Sequence, residues 1–301
     1  MRESRTDPLS FEIPTSTSTP DRSDGSAPGY RANRTLPVRV ELRRQFTRRR
    51  TRLGLGCLAV LPLLLLLAFE LGGDDHDSHH TLADTATFGG MNFAAFTLFA
   101  ATNFLLVVIV ALFFGDTVAG EASWSSLRYL LAAPIPRTRL LRQKALAAAV
   151  LSCFGLALMV LMALGTGLLW YGGDPLLGST DEVLGLSAGL LRLGGGCLFL
   201  TLHLMWIAGL ALWLSVSIDA PLGAVGSAVL VSILSQILDE ISALGPLRML
   251  LPTHYSTAWT ELLGDEVDWT ALANGVFSGL VYGTLFTALA LHHFRRKDIT
   301  G

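Results

Sequence analysis

Long runs of Leu, Ala, Val, Gly and Phe alternate along this chain with short stretches dense in Arg or Asp. Six apolar runs fall at about 53–69, 93–114, 145–171, 193–218, 221–238 and 271–291. A helix needs about 20 residues to cross a bilayer, so each run predicts one span. The stretch 190–238 is too long for a single span, and Asp219-Ala220-Pro221 divides it. Proline disfavours helix at the residue before it, so the chain is expected to turn there. Pro62 predicts a kink in the first span. The fold class this predicts is all-α, a polytopic membrane protein with six transmembrane helices.

The polar stretches refine the picture. Residues 1–37 are rich in Ser, Thr, Pro and Arg, and they predict a disordered cytoplasmic tail. Residues 38–301 form the expected membrane domain. Val38 to Arg52 interleaves Val38, Val40, Leu42 and Phe46 with arginines, among them Arg43, Arg44, Arg48, Arg49 and Arg50. This pattern predicts a basic amphipathic helix along anionic lipid headgroups, leading into the first span. Beside a membrane helix, lipid is a better partner for these arginines than nucleic acid.

The 301 residues are 51% hydrophobic and only 15% charged, against roughly 25% charged in soluble domains. The signs are sorted by place. Arg128, Arg137, Arg139, Arg142 and Lys144 follow the second run, and Arg295, Arg296 and Lys297 follow the sixth. With the N-terminal arginines they fall on one side if there are six spans, which puts both termini in the cytoplasm. A multi-pass protein of a bacterial cell membrane is expected.

The stretch 115–144 reads GDTVAGEASWSSLRYLLAAPIPRTRLLRQK. Thr117 to Ala133 carries an apolar side (Val118, Trp124, Leu127, Leu130, Leu131) and ends at Pro134 and Pro136. It predicts a surface helix between the second and third spans. A partner pushing on it moves both spans. The order of residues here resembles the permease subunits of ATP-binding cassette (ABC) transporters, in the type-2 permease superfamily. In those subunits an acidic residue, a Glu, a Leu-Arg step, a Leu pair, a Pro, an Arg and a Lys follow one another. The matching positions are Asp116, Glu121, Leu127-Arg128, Leu130-Leu131, Pro134, Arg137 and Lys144. Phe294-Arg295-Arg296-Lys297-Asp298-Ile299 and the basic helix with Glu41 and Arg44 resemble the same family.

The resemblance implies a transport subunit, not an enzyme, and an exporter. It implies a second permease subunit, in a homo- or heterodimer, and ABC ATPase subunits that dock on the stretch 121–133. It also assigns the nine residues from Asp116 to Lys144 to ATPase coupling. The chain has no Gly-rich phosphate loop of its own, so ATP and Mg belong to the partner and no cofactor is expected here. The alternatives are a non-transporting membrane anchor or assembly factor, and an ion-coupled carrier. The near absence of acidic residues within the runs disfavours the carrier.

No catalytic residues and no metal site are expected. His76, His79 and His80 lie among aspartates and form a weak candidate cluster for Zn²⁺ or Cu²⁺. Cys57, Cys153 and Cys197 read as small buried hydrophobes. His203 is expected to bond to a neighbouring helix, and Arg192 to reach the headgroups.

Overall fold

The computed structural model describes residues 37–72, 82–123, 136–177, 183–264 and 267–296. They are mostly helical. The chain begins with α1 (Val38–Thr47), which follows extended Pro37 and stops at extended Arg48. α2 (Arg49–Gly72) starts immediately and carries Pro62 within it. After the one-turn α3 (Leu82–Thr85) come α4 (Gly90–Thr102), α5 (Leu105–Ser123) and α6 (Arg137–Trp170). A two-residue antiparallel pair, β1 (Leu176–Leu177) with β2 (Val183–Leu184), precedes α7 (Leu186–His203). α7 and α8 (Met205–Ser217) abut at Leu204 and form one long rod. α9 (Pro221–Asp239) and α10 (Trp269–Arg296) complete the bundle.

Six helices are long and apolar enough to cross a membrane: α2, α5, α6, the α7–α8 rod, α9 and α10. Each overlaps one of the six apolar runs. The turn at Asp219-Ala220-Pro221 forms as expected, with Pro221 at the first helical position of α9 and Ala220 extended before it.

The second run departs from expectation. It is not one helix over 93–114 but two helices divided at Asn103-Phe104. The break exposes backbone that the ladder no longer satisfies. Thr102 donates its hydroxyl to the Leu98 carbonyl (2.7 Å), and Gln236 of α9 donates its amide to the Asn103 carbonyl (2.7 Å). Irregular backbone among apolar helices persists where side chains supply such partners. α4, at 13 residues, is about 20 Å long and too short to cross alone. α5 in turn does not stop at Phe114 but runs on to Ser123.

α5 is the most deeply buried of the six and packs against α6, α8 and α9. α10 lies along α8, and α4 and α2 lie along α6. Glycine permits the closest approach. A Cβ on Gly279 of α10 would stand 2.6 Å from the His203 backbone, and one on Gly283 would stand 2.7 Å from the Met205 carbonyl oxygen. Gly275, Gly279 and Gly283 recur every fourth residue, so one face of α10 is bare backbone against the α7–α8 rod.

The outside of the bundle is apolar. Leu64, Leu71, Leu161, Leu191, Leu222 and Phe277 are all more than half exposed. So much bare hydrocarbon suits a lipid solvent and not water. Cys57 and Cys153 lie exposed on this outer surface instead of being buried, while Cys197 is half-buried; all are free thiols. The interior, by contrast, holds charge.

Candidate functional site

Charge gathers at one end of the bundle, where α1, the end of α5 and the start of α6 meet. α1 packs on α6 through its inner face, burying Glu41 and Gln45 completely or nearly so. Arg44 of α1 and Arg48, the extended residue that ends it, both turn toward Glu121 of α5. α5 brings Asp116 and Glu121, and α6 brings Lys144.

The Lys144 ammonium is 1% exposed, and it donates to Glu41 Oε1 (2.9 Å) and to Glu121 Oε1. Glu121 Oε1 also meets Arg44 (2.9 Å) and Arg48 (3.2 Å). Arg48 donates to Asp116 Oδ2 (2.8 Å), and Arg50 donates to Asp116 Oδ1 (2.8 Å). Four cations thus hold three carboxylates in one network. A buried charge is tolerable only with an opposite partner at hydrogen-bond distance, and each carboxylate has at least one. Burial alone would push the Glu41 carboxyl up. The Lys144 ammonium against it, with Arg44 nearby, outweighs burial and holds it below the ordinary carboxylate range.

Neutral groups complete the corner. Gln45 donates to Glu41 Oε1 (3.4 Å). Ser215, at the end of α8 and fully buried, accepts from the backbone N–H groups of Val118 (3.0 Å) and Ala119 (3.1 Å). The α8 end is thereby fixed to the same turn of α5 that carries the carboxylates. Beside the network, Arg44, Thr47, Arg48, Arg49, Arg50 and Gly120 line a cleft of about 440 Å³.

The structure thus unites Asp116, Glu121 and Lys144 with Arg44, Arg48 and Arg50, which sequence reading had kept in separate groups. Arg43 is exposed on the outside of α1, and Arg49 lines the cleft wall. Arg137 stands apart and donates to the Arg295 carbonyl (3.3 Å). That bond puts the end of α10 at the same end of the bundle as α1 and the cluster. Leu127, Arg128, Leu130, Leu131 and Pro134 lie outside the described residues, as do His76, His79 and His80. Gln45 and Ser215 were missed: a Gln among arginines and a Ser in an apolar helix carry no pattern of their own.

Two other polar residues stand in places the sequence only partly suggested. His203 is buried and donates its Nδ1–H to the Gly275 carbonyl of α10 (3.0 Å), a bond to a neighbouring helix as expected. Arg192 is partly exposed. It donates to the Gly264 carbonyl (2.6 Å) and ties α7 to the segment before α10. Trp259 of that segment is fully buried against Gly196.

The fold and its charged corner define a helical bundle of membrane-protein make-up with a buried ionic junction at one end. The chain belongs to the family described as "Protein of unknown function (DUF2705)", whose match covers residues 79–300. The matched stretch contains Asp116, Glu121 and Lys144, and it begins after α1 and α2. No curated protein matches the chain.

Proposed function

We propose that this chain is the permease subunit of an ATP-driven ABC exporter. It works beside a second permease subunit and takes its energy from separate ATPase subunits that bind ATP and Mg. The charged end of the bundle faces the cytoplasm of a bacterial cell, and the ATPase docks on the stretch 121–133, of which Glu121 is turned inward.

The observation that supports this reading is the ionic junction. Residues 124–135 connect α5 to α6, and both of those ends are bonded to one another and to α1 through Glu121, Lys144 and Glu41. A load applied to the connection therefore reaches three helices together. Glu41, Glu121 and Lys144 are almost wholly buried, so parting them would leave a buried charge unpaired, and the three helices move as a unit. In this reading Glu121 and Lys144 transmit force from within, and Leu127, Arg128, Leu130 and Leu131 receive it.

Affinity purification of the full chain from native membranes tests this. An ATPase subunit with a phosphate-binding loop is expected to copurify. Arg128→Glu is expected to lower its recovery roughly tenfold, the scale of a lost interfacial charge pair. Undiminished recovery in that variant, or no ATPase in either preparation, counts against the proposal.

A further inference from the structure

α6 and α8 both pack on α5 and leave a groove between them. Its volume is about 370 Å³, within the range of ligand sites. On α6 the lining residues are Arg142, Ala145, Leu146, Ala149, Ser152, Cys153 and Leu156. Their spacing of three and four keeps them on one face. From Arg142 to Leu156 that face runs about 21 Å at 1.5 Å per residue. The hydrocarbon of a single leaflet is about 15 Å deep, half of the whole core. The facing wall is Met205, Gly209 and Leu212 of α8, and Phe114 of α5 stands at the floor.

The groove is chemically polarised. All of its length is apolar or weakly polar except for one end, where Arg142 stands. Its side chain is exposed and makes no hydrogen bond or ion pair with the described residues. Arg137, five residues earlier on α6, lies against the end of α10, which carries Arg295 and Arg296. Leu146 and Met205 are partly exposed on the outer surface, so the groove opens sideways, toward where lipid would lie.

We propose that this groove holds an anionic phospholipid of the surrounding bilayer, one acyl chain along α6 and its phosphate on Arg142. A charge at the headgroup level, a hydrocarbon slot one leaflet long and a lateral opening match the three parts of such a lipid. The site is separate from the ionic junction. It depends on the helices being membrane spans and does not depend on the transport reading.

The test uses the full chain reconstituted in vesicles of equal parts phosphatidylglycerol and phosphatidylcholine. The protein is then extracted gently, and native mass spectrometry counts the lipids retained. Phosphatidylglycerol is expected to be retained in preference. Arg142→Gln is expected to reduce it roughly tenfold, the loss of one charge-assisted bond. Ala149→Phe, which fills the slot, is expected to remove it while the melting temperature stays near that of the parent. Equal retention of the two lipids, or retention unchanged in both variants, overturns the proposal. If Arg142→Gln has no effect while Ala149→Phe expels a lipid of either headgroup, the anionic assignment is overturned.

Discussion

Lys144 lies under α1 with almost no surface, and its charge there depends on Glu41 and Glu121. Removing one member of such a network leaves the others charged and uncompensated. Lys144→Met is therefore expected to cost about 3–5 kcal/mol. Arg43→Ala, on the exposed side of the same helix, is expected to leave stability unchanged. Thermal unfolding of the purified full chain separates the two. Glu41 adds a pH dependence. Its folded carboxyl sits below the ordinary value, so the unfolded chain binds the extra proton as pH falls. The stability it contributes is complete above the ordinary carboxylate pKa of about 4.3 and is lost as pH falls through the lowered folded value. Glu41→Gln is expected to lower the melting temperature at neutral pH and to flatten its decline in acid. An acid decline as steep as the parent's counts against this role. At this scale the sequence was legible in part. Asp116, Glu121 and Lys144 stood out by their order along the chain. Their burial did not, because the partners that permit it come from α1 and its junction with α2: Arg48 lies 68 residues before Asp116 and 73 before Glu121.

At the scale of elements, the apolar runs announce the helices and the polar ones hide their ends. Gly115-Asp116-Thr117 reads as the close of a span, since a lone carboxylate cannot stay in an apolar interior. α5 continues through it because Arg48 and Arg50 neutralise Asp116 and because Ser215 takes two of its N–H groups. The break at Asn103 was equally hidden, since Gln236, which satisfies it, belongs to another span. The glycine repeat of α10 was legible in its four-residue spacing, but 30 glycines in the chain obscured it. Its role predicts a sharp contrast. Gly279→Leu forces α10 off the α7–α8 rod and is expected to cost more than the 1–3 kcal/mol typical of overpacking, about 3 kcal/mol or more. Gly226→Ala in α9, where an added Cβ meets nothing within 4 Å, is expected to be neutral or to stabilise by about 0.5–1 kcal/mol. Melting temperatures that fall equally in both variants contradict this packing.

At the scale of the whole molecule the distribution is inverted relative to a soluble protein. Leucines cover the outside, and a junction of seven charged side chains closes one end from within. That junction joins the helices flanking residues 124–135, and the end of α10 lies on the same side. The proposed permease would use this layout: a load taken at that end would pass into the bundle through the helices bonded there. The opposite end holds the Arg192–Gly264 bond and the buried Trp259, which fix the segment between α9 and α10 against α7.

Site-directed cross-linking in native membranes tests both the side and the partner. Cys57, Cys153 and Cys197 are first replaced, and a single new cysteine is introduced as Ser126→Cys or as Thr260→Cys. A bifunctional thiol reagent is expected to join Ser126→Cys to an ATPase subunit and to leave Thr260→Cys without that adduct. An ATPase adduct formed from Thr260→Cys, or none formed from Ser126→Cys while the chain remains folded, contradicts the account.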